Sequence, residues 1–332
     1  MCQFRIVIPT KPSNNKITYN SKLLFIGSCF AENIGVNFLN YKFSSIINPF
    51  GIIYNPFSIK TSLEFLISQK KFTEEDLFFY NDLWSSFYHH SRYSNIDKEK
   101  CLQNINENIV KSSEFLKNTD YLFITFGSAK VYELLKTKSI VSNCHKLPSS
   151  KFKNYILSTD IIIEQYKILV DKLLIYNPNL KIIFTISPVR YFNEGFFDNQ
   201  LNKSTLFIAI NEITKMYNNI EYFPAYEIMM DDLRDYRFYK EDMIHPNDIA
   251  IKYIWDKIID TYIEKPTKLI MNEVDNIINA KNHKPYNINS EAHQKFLKTQ
   301  IEKIQNIQNK HENIDLKNEL NHFKSQINLT EK

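Results

Sequence analysis

Glycine is almost missing from this chain, with 5 among 332 residues where ordinary composition supplies about 7%. A chain so poor in glycine keeps it where backbone geometry requires it, because only glycine takes a positive φ without strain. Cysteine is scarce too: Cys2, Cys29, Cys101 and Cys144 form no C-x-x-C pair, which excludes a disulfide framework and a common zinc site. No run approaches the ~20 apolar residues of a membrane span. The first ten residues hold one Arg5 and a short apolar run stopped by Pro9, without the apolar core of a signal peptide. Charge is balanced, 41 Lys and Arg against 37 Asp and Glu for a net +4, and it is scattered rather than blocked, so no nucleic-acid footprint is visible. These absences set the expectation of a reduced, cytoplasmic protein with no nucleic-acid or membrane partner.

What is present is apolar and aromatic: 43% hydrophobic and 14% aromatic residues, enough for a sizeable core in one large α/β domain with an appendage. Leu23-Leu24-Phe25-Ile26 reads as a strand buried on both faces, and Gly27 breaks it before a helical pattern through Ala31, Ile34 and Phe38. Tyr121 to Phe126, Leu180 to Ile186 and Ile220 to Phe223 repeat the theme, and Phe43 to Ile47 and Phe4 to Ile8 are further strand candidates. Helical patterns over 58–68, 99–118, 159–175 and 202–217 lie between them. Strand alternating with helix predicts a parallel sheet covered on both faces. After Pro266 strand signals stop, and Leu297, Ile301, Ile304, Leu316, Leu320, Phe323 and Ile327 fall at helical spacing. The expected division is 1–265 for the α/β domain and 266–332 for a helical extension that packs on it or on a second copy as a homodimer.

The chemistry is expected at the carboxyl edge of such a sheet, where open α/β folds place their ligands. Ser28 follows Gly27 there, beside the free N–H groups of a helix start. Asp242 and His245 stand three apart, with Pro246 directly after. In a loop that short the carboxylate can hold Nδ1–H of the imidazole while Nε2 serves the serine, which is nucleophile, base and orienter in the order Ser, Asp, His. Cys29 is a rival nucleophile, weighed against a small cysteine packed behind Ser28. His89-His90 and Cys144-His145 match no common ligand spacing, so neither a metal nor a cofactor is expected. His90, His145, Trp84 and Arg190 are candidate pocket residues; for Arg190 the alternative is pairing with Asp198 or Glu194. The run Asp231 to Arg237 reads as a self-paired surface.

Gly27-Ser28-Cys29-Phe30-Ala31, together with Asn48-Pro49-Phe50-Gly51, Asn143-Cys144-His145-Lys146, Ser187-Pro188-Val189-Arg190 and the stretch from Arg234 through His245-Pro246, resembles the GSCFA-domain family, grouped with the SGNH (GDSL-like) hydrolases. The resemblance covers most of the chain. It implies a flavodoxin-like three-layer α/β/α sandwich with a C-terminal helical extension, with Ser28 as nucleophile and Asp242 and His245 in the Asp-x-x-His position. The SGNH pattern also implies an oxyanion hole from Ser28 N–H, Gly51 N–H and an asparagine after the third strand. Here Gly127 is followed by Ser128-Ala129-Lys130, so the third donor falls to Ser128, to Asn143, or to none.

The expected function is a serine esterase acting on an O-acyl or O-acetyl group of a carbohydrate or similar polar ester. Two alternatives use the same residues differently: an O-acyltransferase with this triad, and a non-catalytic binding or scaffold protein on a hydrolase fold.

Overall fold

A computed structural model describes residues 5–192 and 195–327. In chain order its elements are β1 (Lys22–Gly27), α1 (Cys29–Asn40), β2 (Ser44–Ile47), α2 (Pro56–Ser68), β3 (Phe78–Tyr80), β4 (Leu83–Ser85), α3 (Lys98–Lys117) and β5 (Tyr121–Phe126). There follow β6 (Lys130–Leu134), β7 (Ser139–Val141), β8 (Phe152–Ile156), α4 (Thr159–Tyr176), β9 (Lys181–Ile186), α5 (Phe196–Met216) and β10 (Ile220–Tyr222). The short α6 (Ala225–Glu227), α7 (Asp248–Tyr262), α8 (Lys265–Asn282), α9 (Glu291–Lys310) and α10 (Lys317–Ile327) complete the chain.

The central sheet has the order β10-β9-β5-β1-β2. Leu23 to Gly27 run parallel to Tyr121 to Thr125, and Tyr121 to Phe126 run parallel to Lys181 to Ile186. All six residues of β5 are buried, as expected for a parallel strand covered on both faces. One face, carrying Leu24, Ile26, Leu122, Ile124, Phe126, Ile182 and Phe184, packs on Ile59, Leu63, Ile109, Tyr166, Leu169, Leu206 and Ile210 of α2 to α5. The other presents Phe25, Phe123 and Ile183 to Phe30, Ala31 and Ile34 of α1 and to Ile258 of α7; the Phe25 and Phe123 rings stack at 4.6 Å. This is the three-layer α/β arrangement the alternating pattern predicts. The chain moves outward from β1 to β2 in one direction and from β5 to β9 and β10 in the other. The order therefore switches between β1 and β5, the place where doubly wound sheets open a ligand crevice.

Two regions differ from expectation. Residues 127–158 contain a three-stranded antiparallel sheet, β7-β6-β8, where no strand was expected. Lys130 to Leu134 buries only Val131 and Leu134, with no clean alternation, and is short and half exposed. Arg5 to Ile8 form no strand, and Phe4 lies outside the described residues.

The chain divides into two compact units: 22–36 and 45–258 with the N-terminal 1–11, and 12–21, 37–44 and 259–332. The second unit is more than a tail. Its helices bury Met271, Val274, Ile277, Leu297, Ile304, Ile307 and Phe323. Tyr19 stacks on Phe43 at 4.4 Å, Ile17 bridges Ile263, and Glu319 receives both Lys42 at 3.0 Å and Lys281 at 3.2 Å. A boundary at 265 falls inside this unit rather than at its edge.

Candidate active site

The end of β1 is crowded. Gly27 has φ +140°, and a Cβ there would lie 2.2 Å from the Thr125 carbonyl oxygen, so no other residue fits. Its N–H donates to Asn48 Oδ1 at 2.9 Å, and Asn48 Nδ2 donates in turn to Glu32 at 3.1 Å. Ser28 then caps α1: its Oγ accepts the Phe30 N–H at 3.3 Å, the usual service of an N-terminal serine. The Ser28 N–H donates to Thr125 O at 3.3 Å. The residue is 1% exposed. Beside it, burial pushes the Cys29 thiol above its ordinary pKa, with the Phe30 and Cys29 N–H groups only partly opposing. A thiol held protonated is a poor nucleophile, in keeping with the inert reading of this cysteine.

The Asp242–His245 turn is built the opposite way. It is half exposed, 46% at the carboxylate and 32% at the imidazole, and its own side chain holds it. Asp242 Oδ1 accepts the N–H groups of His245 and Ile244, each at 2.9 Å, and Oδ2 accepts His245 Nδ1–H at 2.7 Å. Those N–H groups, first that of His245 and then that of Ile244, with the imidazole third, draw the Asp242 pKa down to about 2. The carboxylate is therefore ionised throughout the neutral range, and Nδ1 carries the ring proton. Nε2 has no hydrogen-bond partner among the described residues, and none joins it to Ser28. Catalytic hydrogen bonds of a free enzyme are often long and tighten only with substrate.

At the switch point between β1 and β5 lies a cavity of about 480 Å³, whose lining includes Tyr54, His90, Ser128, Asn143, Tyr191 and Asn202. Tyr54 is one residue from Ile53, whose N–H donates to Gly27 O at 2.9 Å, so the cavity opens beside the end of β1. Tyr191 links it to the late turn: its ring lies edge-on to Tyr54 at 6.1 Å and to His245 at 6.3 Å. Ser28 and His245 themselves do not line it.

Three pocket candidates are corrected by this geometry. Trp84 packs against Phe79 and under Lys98. His145 turns Nε2 to the Ser86 carbonyl at 2.9 Å and its ring to Phe78, bracing the segment behind the cavity. Arg190 lies over the Phe192 ring at 5.2 Å with a buried, unpartnered Nε, outside the cavity lining and without an ion pair to Asp198; Glu194 lies outside the described residues. Only His90 of that group lines the cavity. His89 is fully buried, and burial, aided by His145, lowers its pKa to about 3. In the run 231–237, Arg234 and Arg237 pair with Asp231 and Asp235 as expected. Asp232 does not; it is buried and accepts the Tyr253 hydroxyl at 2.7 Å. Among the described residues no group of three or more His, Cys, Asp or Glu side chains is placed to hold a metal, and no helix is long and apolar enough to cross a membrane.

The expected backbone oxyanion donors are already engaged. Gly51 N–H closes a turn onto Asn48 O at 2.7 Å, and Ser128 N–H goes to Tyr54 O at 3.1 Å. The Ser128 hydroxyl donates to Asn202 Oδ1 at 3.0 Å. Gly51 is required instead by φ +81° and by His90, whose Cβ would sit 2.1 Å from an added Cβ. Sequence reasoning also missed Lys203. It is buried on α5 and donates to the carbonyls of Gly127 and Ser187, both at 2.8 Å, tying the ends of β5 and β9 together. Its burial, reinforced by Arg190 and opposed by Cys29, lowers its pKa to about 7. The available signal was spacing: Asn199, Asn202 and Lys203 continue the buried stripe of Leu206, Ile210 and Ile213.

No curated protein matches the chain. Two family matches do: the GSCFA family over residues 22–258, and the GSCFA domain protein, C-terminal domain, over residues 274–329. The first spans every residue of the site just described, from the crowded strand end to the late Asp-x-x-His turn, and the second falls in the helical unit. With both matches and their fold in place, the chain belongs to the GSCFA family.

Proposed function

We propose that the protein is a serine esterase that removes an O-acyl or O-acetyl group from a carbohydrate or a similar polar ester, with Ser28, His245 and Asp242 as its triad. The observation that carries this reading is the Asp242–His245 pair, in which a carboxylate holds Nδ1–H at 2.7 Å and leaves Nε2 without a hydrogen-bond partner among the described residues. That is the form of imidazole a general base needs. In the reaction Ser28 Oγ bonds to the ester carbon while its proton passes to His245 Nε2, and the C=O electron pair moves onto oxygen. Collapse breaks the bond to the alcohol, which leaves with the proton from Nε2. Water, deprotonated by the same nitrogen, then attacks the acyl-serine carbon; the bond to Ser28 Oγ breaks, Oγ takes back the proton from Nε2, and the acid is released. Because Ser28 caps α1 in the free protein, substrate entry has to draw Oγ away from the Phe30 N–H. The tyrosines and amides of the cavity suit a polar ring with apolar faces. Three free thiols, Cys29, Cys101 and Cys144, support a reducing, cytoplasmic setting.

A second reading is favoured by one observation, the 1% exposure of Ser28: a binding or scaffold protein that keeps the fold and its cavity without turnover. A fluorophosphonate probe separates the two. Labelling of the wild type that disappears in Ser28→Ala and in His245→Ala is the expected result. Absence of labelling between about pH 6 and 9 establishes the binding reading instead.

A further inference from the structure

An acyl-transfer site needs hydrogen-bond donors aimed at the oxygen on which charge develops, and the N–H groups of Ser28, Gly51 and Ser128 are bonded to the carbonyls of Thr125, Asn48 and Tyr54. In the cavity lining, His90 and Asn143 each keep a side-chain donor without a partner among the described residues. His90 Nδ1 accepts the Arg92 N–H at 3.2 Å, which fixes the tautomer and puts the ring proton on Nε2. The ring is half buried, and burial, with Arg92 next, lowers its pKa against the opposing pull of Glu32, so it stays neutral at pH 7. Asn143 Oδ1 accepts the His145 N–H at 2.8 Å, which orients the amide and leaves Nδ2 without a partner among the described residues. Among the described residues no carboxylate lines the cavity to compete for these donors. The glycine at 51 belongs to the same device, since any side chain there would displace His90.

Resting on the esterase reading, we propose that His90 Nε2–H and Asn143 Nδ2–H are the carbonyl-binding donors of this cavity, so that the oxyanion is held by two side chains in place of the backbone. A neutral imidazole donor polarises a carbonyl without surrendering its proton, as an imidazolium would.

The test uses the full-length protein with p-nitrophenyl acetate, and 15N NMR of the histidine rings with acetate as product probe. Loss of one such donor costs about 100-fold in kcat. His90→Leu and Asn143→Ala are each expected to show that loss with KM nearly unchanged, and His90→Gln, which keeps a donor, to recover most of it. If Ser28→Ala abolishes turnover while His90→Leu and Asn143→Ala stay within about twofold of wild type, the esterase stands and this assignment falls. If wild type shows no Ser28-dependent turnover, the esterase reading falls and the rings decide the donor assignment alone. A protonated Nε2 on His90 that shifts with acetate in wild type, and does not in Asn143→Ala, upholds the two donors as a carbonyl site. A proton on Nδ1, or no response of His90 across the titration, overturns them. The wild-type spectra need no variant to fold.

Discussion

The two turns that carry the proposed triad are opposites. At the end of β1 the residues are dictated by packing: Gly27 because Thr125 O is too close for a Cβ, Asn48 because Gly27 N–H needs its Oδ1, and Ser28 because α1 needs a cap. The partners of Gly27, Thr125 and Asn48, come from outside the turn. The loop at Asp242 is self-contained, with one carboxylate receiving three hydrogens, one from Ile244 and two from His245, and Met243 at φ +57° between them. The lesson is that the first turn couples chemistry to folding and the second does not. A substitution at 27 is felt by the sheet, whereas one at 245 leaves the scaffold alone.

That contrast can be broken at several points. The largest effect is expected from His245→Ala, a loss of turnover on the order of 10⁶-fold with the urea midpoint unmoved; a shifted midpoint would mean the late turn is structural after all. Next comes Gly27→Ala, which must push the Thr125 carbonyl aside and is expected to cost about 4 kcal/mol in urea unfolding. A cost under about 1 kcal/mol would show that the strand end has room to give.

Acid should find the buried side of the molecule. His89 titrates near 3 in the fold and near 6.5 unfolded, so the unfolded chain binds the extra proton between those values. Stability is complete above about pH 6.5 and falls as pH drops towards 3, on the order of 3 kcal/mol by pH 4 from this ring. His89→Phe, stacking in the same slot against Phe50, should flatten the pH 4–6.5 part of the stability curve; an unchanged slope would remove His89 as its source. The smallest effect is Ser28→Ala on stability, about 1 kcal/mol for a lost N-cap. This variant is the sharpest for the comparison, because it asks whether one hydroxyl does two jobs.

Much of the scaffold is legible in the residues. Leu23 to Ile26 and Tyr121 to Phe126 are buried on both faces and announce it with unbroken apolar runs. Asp242 and His245 are legible for a different reason: three residues apart, they need only a local turn to meet. The sheet β6 to β8 was hidden because Lys130 to Leu134 is short and half wet, so its apolar signal is weak. The cavity was hidden more deeply. Tyr54 carries no pattern of its own, and Asn202 and Lys203 show only by continuing the buried stripe of α5. On paper Lys203 reads as a solvated helix residue, and it becomes a buried clamp only because the ends of β5 and β9 converge on it. His90 and His145 are indistinguishable in sequence, yet one lines the cavity and the other braces a carbonyl.

By itself, then, the sequence determined the alternation of buried strands and covering helices, the placement of scarce glycines after them, and the short-range bond between Asp242 and His245. All of these depend on neighbours within a few residues. Only the tertiary structure decided which donors remain free and how far Ser28 is closed from solvent. Those properties belong to pairs such as Gly27 with Thr125, Gly51 with His90 and Gly127 with Lys203, separated by tens of residues along the chain. Hydrogen-bond capacity is spent wherever the fold brings a partner, and spacing along the chain does not record that.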